Sequence, residues 1–157
     1  MAVSVLPSSV LFLCDHNAIR SPMAAALLRS IHGASIWVRS AGVAKGEADP
    51  FAVAAMAEVD LDIAGHVPTM VGDLDESNFD LIVALSLDAL LKAEMMTRTM
   101  DCQVAFWEAE DPSRIEGSRE VRMDAYRSLR HALLGRILDR FPLGGAPHSP
   151  MEAKIPS

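Results

Sequence analysis

VLFLCDHNAIRSPMAAALLRSIHG, residues 10–33, decides the fold. Val10 to Leu13 run without a polar break, as a strand covered on both faces of a parallel sheet does. A polar loop follows, Cys14 to Arg20. Pro22 sits where the first turn of a helix tolerates a missing N–H. Ala24, Leu27, Leu28 and Ile31 then repeat at helical spacing, and Gly33 offers a stop. Strand, short loop and helix make the opening of a βα unit.

The same alternation continues outward. SIWVRS (35–40) reads as a second strand, closed by Ala41-Gly42. Asp49-Pro50 has the form of an N-cap followed by a first-turn proline, opening an alanine- and methionine-rich helix that runs to about Val59. FDLIVAL (79–85) is a third buried strand, SLDALLKAEMM (86–96) a helix, and QVAFW (103–107) a short fourth strand. Ser118 can cap a long final helix, on which Tyr126, Leu129, Leu133, Ile137 and Phe141 keep helical spacing. There is no internal repeat. The pattern predicts an α/β fold: one three-layer domain over residues 1–141, a four-stranded parallel sheet with helices on both faces. The Pro-, Gly- and Ser-rich stretch 142–157 lacks periodicity and is expected to be a mobile tail.

Composition narrows the function. The chain has 157 residues, half of them hydrophobic, and a formal net charge of -7. That charge, with no cluster of Lys or Arg, argues against a nucleic-acid or anionic-membrane partner. The N-terminal stretch lacks the basic region and cleavage site of an export signal; residues 3 to 13 read as a lead-in to the first strand. No run is long enough to span a bilayer. Two cysteines, Cys14 and Cys102, are too few for a disulfide framework and have no metal-ligand spacing. A reducing, cytoplasmic location is expected, with no metal and no organic cofactor.

Ligands of parallel sheets bind beyond the carboxyl ends of the strands, where Cys14 stands. Backbone N–H groups of the loop after it (Asp15, His16, Asn17, Ala18, Ile19, Arg20) can converge on one anion. The N-terminus of the following helix adds positive potential, and Arg20 adds a planar two-pronged donor. The same field stabilises negative charge on the Cys14 sulfur, which could then attack phosphorus directly and form a covalent thiophosphate. A lone cysteine is more often a buried, inert hydrophobe. The spacing Cys-x-x-Asn-x-x-Arg-Ser-Pro between a strand and a helix points the other way.

That string resembles the active-site loop of the low-molecular-weight protein tyrosine phosphatases and of the related thioredoxin-coupled arsenate reductases. The likeness extends through RSAGV (39–43), GH (65–66), FDLIVAL (79–85) and EDPSRIEGS (110–118), covering roughly residues 8 to 141. It implies a flavodoxin-like strand order 2-1-3-4. It implies Cys14 as nucleophile, Arg20 as the group that binds the phosphoryl oxygens, and Ser21 as hydroxyl donor to the thiolate. It implies Asp111 as general acid, and Asn17 as the shaper of the loop, supported by Ser40 and His66. The expected activity is hydrolysis of phosphomonoesters, phosphotyrosine on protein foremost, through a cysteinyl-phosphate. Phosphorylated protein or a small phosphomonoester would be substrate, and phosphate, vanadate or arsenate oxyanion ligands.

The chain departs from the family pattern in four places. Glycine is usual at His16, where a side chain crowds an approaching phosphate. Asp15 places a carboxylate at the mouth of an anion site, weakening anion binding unless it turns away. The stretches VAKGEADP (43–50) and DPSRIEG (111–117) offer no aromatic wall before Phe51. Ser86 stands where the thioredoxin-coupled reductases begin a cysteine pair. Two alternatives therefore stand beside the phosphatase: an arsenate reductase using an external thiol or glutaredoxin, and a catalytically weak phosphate- or phosphoprotein-binding module.

Overall fold

The computed structural model describes residues 6–75 and 78–144. The expected tail falls outside these from residue 145 onward, as does the start of the lead-in before residue 6. Four strands, β1 (Ser9–Cys14), β2 (Trp37–Gly42), β3 (Leu81–Ala84) and β4 (Gln103–Phe106), form one parallel sheet in the order β2-β1-β3-β4. Helices α1 (Arg20–His32), α2 (Pro50–Ala57), α3 (Leu87–Met96) and α4 (Arg119–Arg140) alternate with the strands.

Side-chain alternation along β1 sorts the helices into layers. Val10, Phe12 and Cys14 belong to one core with residues of α1, α2 and α4. Leu11 and Leu13 belong to a second core with Ala89 and Ala93 of α3. All five β1 residues are at most 2% exposed, which explains why the run shows no polar break. On the first face the rings of Phe12, Trp107 and Phe141 make tilted and edge contacts. Tyr126, Leu129, Leu133 and Ile137 bury the inner stripe of α4.

Helix starts follow local chemistry. Asp49 Oδ1 accepts from the amides of Phe51 and Ala52, Ser86 Oγ from Ala89, and Ser118 Oγ from Val121. Helix α1 is the exception: Ile19 precedes it and no side chain caps it. Its stop also differs from expectation. Gly33 ends α1 with φ -60°, not left-handed; a Cβ there would lie 2.5 Å from the Arg29 carbonyl oxygen, so glycine serves close approach. Strand β2 runs through Ala41 and Gly42 rather than closing before them, because they pair with Leu13 and Cys14. A Cβ on Gly42 would fall 2.7 Å from the Asn17 amide nitrogen, so glycine lets β2 reach the loop after β1. Among the described residues no helix is long and apolar enough to cross a membrane.

Candidate active site

β1 delivers Cys14 to the carboxyl edge of the sheet, 2% exposed. The chain then curls back before α1. Four successive carbonyls of the curl are tied outward. Cys14 O accepts from Val43 N, Asp15 O from Ala44 N, His16 O from Gly46 N, and Asn17 O from His66 Nε2. In a trans peptide the N–H points opposite the preceding carbonyl, and no peptide here is cis. Tying the carbonyls outward therefore turns the amides of Asp15, His16, Asn17 and Ala18 to the inner side of the curl. The uncapped N-terminus of α1 opens onto the same space.

Asn17 is the keystone. It is fully buried with φ 56°, one of two non-glycine residues with positive φ among those described. Asparagine tolerates that region better than most side chains. Both hydrogens of Nδ2 are used, to Ser21 Oγ at 2.8 Å and Ser40 Oγ at 3.0 Å. Oδ1 accepts from the Thr69 amide at 2.8 Å. His66 supports the backbone, not the side chain: its Nε2 lies 2.9 Å from Asn17 O, and since a carbonyl only accepts, Nε2 carries the hydrogen. Burial lowers the His66 pKa below the ordinary histidine value; the hydrogen bond opposes this and the Arg29 charge adds to it. The neutral ring suffices for the bond.

Ser21 Oγ receives Asn17 Nδ2, which leaves its single hydrogen for Cys14 Sγ at 2.9 Å or Ala41 O at 3.3 Å. Arg20 is 7% exposed and donates to the Ala109 carbonyl and to Asp15 Oδ2, each at 3.0 Å. Asp15 therefore does not aim at the space over Cys14; its other oxygen accepts from Ser86 Oγ at 2.6 Å. Burial works against charge on Asp15, but the Ser86 and Arg20 contacts outweigh it and hold its pKa below the ordinary value. His16 keeps an ordinary negative φ and is exposed, with Gly46 packed against its Cβ.

A cavity of about 230 Å³ opens over Cys14. The curl contributes Cys14, His16, Ala18, Ile19 and Arg20; the other wall is Gly46, Glu47, Asp49, Asp111 and Ser113. Asp111, half-buried, caps a short 3₁₀ turn (Pro112–Arg114) through Oδ1, which accepts from Ser113 N and Oγ. Both Asp-Pro pairs thus reach the cavity. Asp49 is committed twice over, to the start of α2 and to the Tyr126 hydroxyl, which donates to Oδ2 at 2.8 Å. Phe51 is also engaged: its ring stacks on Tyr126 and carries Arg122 at 4.4 Å.

Sequence reasoning missed Ser86, Ala109 and Thr69 as partners of the site; each lies at least 52 residues from its partner in the chain. Only Ser86 left a signal, as a cap before an apolar helix. Cys102 is not near Cys14. It precedes β4, whose Gln103 aligns through Leu81 with Val10, four residues before Cys14 in parallel strands. Those four residues alone span about 13 Å. Among the described residues no group of three or more His, Cys, Asp or Glu could hold a metal ion.

Known proteins share this arrangement. Residues 9–133 match the model of the low molecular weight phosphotyrosine protein phosphatase family. The arsenate reductase of Bacillus subtilis (strain 168) is 30% identical over 128 residues, covering 82% of this chain and 91% of the relative. The glutaredoxin arsenate reductase of a Synechocystis species is 29% identical over 116 residues, 72% of this chain and 86% of the relative. Among solved structures, the tyrosine phosphatase Wzb from Escherichia coli K30, in complex with sulphate, superposes with a TM-score of 0.66 at 25% identity, covering 86% of this chain and 99% of that one. With a family model matched over most of its length and a curl that ties Cys14, Asn17, Arg20 and Ser21 into one frame, the chain belongs to the low-molecular-weight phosphotyrosine protein phosphatase family.

Proposed function

We propose that the chain reduces arsenate, with Cys14 as nucleophile and thiols from outside the chain as reductant. The observation that carries this is the small cavity over Cys14, lined by Arg20 and, among the described residues, by no Phe, Tyr or Trp, the nearby Phe51 ring being taken up by Tyr126 and Arg122. Such a space suits a bare tetrahedral oxyanion better than a tyrosyl ring. The similarity to proteins named arsenate reductase supports it.

The Cys14 thiolate attacks arsenic, and one arsenate oxygen leaves as water after protonation. Amides of the curl and the Arg20 guanidinium hold the remaining oxygens. A monothiol of the glutathione class then attacks Cys14 Sγ. The S–As electron pair stays on arsenic, which leaves as arsenite, and Cys14 is left in a mixed disulfide. A second thiol, on glutathione or a glutaredoxin, reduces that disulfide and frees Cys14. Ser86 cannot replace the external thiol, and Cys102 lies toward the other end of the sheet.

A second reading, phosphomonoester hydrolysis, is favoured by Asp111 lining the Cys14 cavity. There Cys14 would attack phosphorus, Asp111 would protonate the leaving oxygen and then activate water, and Ser21 would stabilise the departing thiolate. Purified protein and Cys14→Ser are each given arsenate with glutathione and glutaredoxin, or para-nitrophenyl phosphate. Arsenite formation lost in the variant is the expected result. Vanadate-sensitive ester hydrolysis without arsenite would transfer the assignment to the phosphatase. Phosphate binding with neither turnover would leave a binding module.

A further inference from the structure

Arg20 lies between two hollows. Arg20 and Asp111 line both; Cys14 belongs to the first, and Asp15, Ser86, Glu108 and Arg114 to the second. The contacts to Asp15 Oδ2 and Ala109 O use two of the five guanidinium hydrogens. Asp15 is itself fixed, since Ser86 Oγ donates to its Oδ1 at 2.6 Å. Ser86 is anchored in turn as the cap of α3, accepting from the Ala89 amide at 3.1 Å. The curl, the start of α3 and the segment after β4 thus converge on one guanidinium.

A carboxylate here has two separable effects. Its charge subtracts from the positive potential felt by an oxyanion, which weakens ground-state binding. Its position freezes a long side chain that would otherwise sample many rotamers, so less ordering remains for the transition state. Charge acts on affinity and position acts on turnover.

We propose that Asp15, braced by Ser86, is the positioning residue of Arg20, holding the guanidinium plane ready for the transition state at the cost of weaker oxyanion binding. The proposal rests on Arg20 being the oxyanion-binding group of the function above.

The full chain is compared with Asp15→Ala, Ser86→Ala and the double variant Asp15→Ala/Ser86→Asp. Aspartate at 86 keeps a cap for α3 and offers a carboxylate beside the vacated place. Four quantities are measured: the dissociation constant of inorganic phosphate, kcat with arsenate plus glutathione and glutaredoxin (and with para-nitrophenyl phosphate), the thermal midpoint, and the Arg20 Nε–H resonance of the ligand-free protein. For Asp15→Ala, kcat falls about tenfold or more while phosphate binds as well as before or tighter. Its midpoint holds within a few degrees, and the Arg20 resonance broadens into exchange with water. Ser86→Ala gives a smaller loss of kcat, and the double variant regains most of what Asp15→Ala lost.

Unchanged kcat in Asp15→Ala overturns the proposal, as does an unchanged Arg20 resonance. So does a parallel loss of kcat, phosphate binding and thermal midpoint, which would mark Asp15 as merely structural. A wild-type protein that neither binds phosphate nor turns over either substrate removes the functional assignment, and the proposal with it. A working wild type with an indifferent Asp15→Ala removes the brace alone.

Discussion

Replacing Asn17 by alanine tests the frame of the curl. The side chain is fully buried and makes three hydrogen bonds, to Ser21, Ser40 and the Thr69 amide. Each is worth roughly 1 kcal/mol net. Alanine also loses asparagine's tolerance of φ 56°, a further penalty of about 1 kcal/mol. The sum is about 4 kcal/mol, a large share of the 5–15 kcal/mol that roughly bounds domain stability. At about 2–4 °C per kcal/mol for a chain of this size, the thermal midpoint falls by roughly 8–16 °C. Asn17→Gly loses the same hydrogen bonds but not the φ preference, and should be about 1 kcal/mol more stable than the alanine variant. Urea unfolding of the three proteins measures both differences. An alanine variant within about 1 kcal/mol of wild type, or a glycine variant less stable than the alanine one, would refute the reasoning.

Asp111→Asn separates the two chemistries: in the phosphatase reading para-nitrophenyl phosphate turnover drops by about a hundredfold, since Asp111 protonates the leaving phenolate, while arsenite formation, whose leaving oxygen departs as water and takes its proton from solvent, stays within about twofold. Cys102→Ser leaves arsenite formation with glutathione and glutaredoxin unchanged; a loss there would show that the second thiol takes part. Arg127 and then Arg130 hold the Glu58 carboxyl at about 2, below its ordinary 4.5. Because the folded value is the lower one, its stabilisation is present above that ordinary value and is lost as pH falls toward 2. The difference in urea midpoint between wild type and Glu58→Gln should therefore vanish on acidification through that window, and shrink in salt at neutral pH. Tyr126→Phe removes one hydrogen bond and costs roughly 1 kcal/mol. Asp49→Ala also removes the α2 cap and strands the buried hydroxyl, so calorimetry should give it a cost of about 2–3 kcal/mol.

Much of this was legible in the chain because it is local. An unbroken apolar run means a strand buried on both faces, and β1 is one. Helix periodicity and the caps Asp49 and Ser118 located the helices, since capping needs only neighbours two or three residues away; Ser86, read as the first residue of its helix, proves to be its cap. The spacing of Cys14, Asn17, Arg20 and Ser21 is likewise local, and it placed the curl at the carboxyl end of β1. Boundaries were less secure, because pairing partners set them. Ala41 and Gly42 belong to β2 only because Leu13 and Cys14 lie beside them.

The orientation of the site's side chains depended on residues distant in sequence. From the chain alone, Asp15 was a misplaced negative charge; in the fold it faces Arg20 and Ser86, 71 positions away. Phe51 was in sequence the first aromatic residue after the expected rim, and only the fold shows its ring taken up by Tyr126 and Arg122 of α4. Cys102 could be weighed as a partner for Cys14 only by type, until strand register placed it toward the opposite end of the sheet. What the sequence determined by itself is the sheet, its helices and an oxyanion curl with a cysteine in it, because periodicity, caps and loop spacing act over a few residues. Which way Asp15 turns, what fixes Arg20 and what can reach Cys14 were decided only by packing: Asp15 and Arg20 lie five residues apart, but Ser86 and Ala109, which hold them in place, lie 71 and 89 positions from their partners.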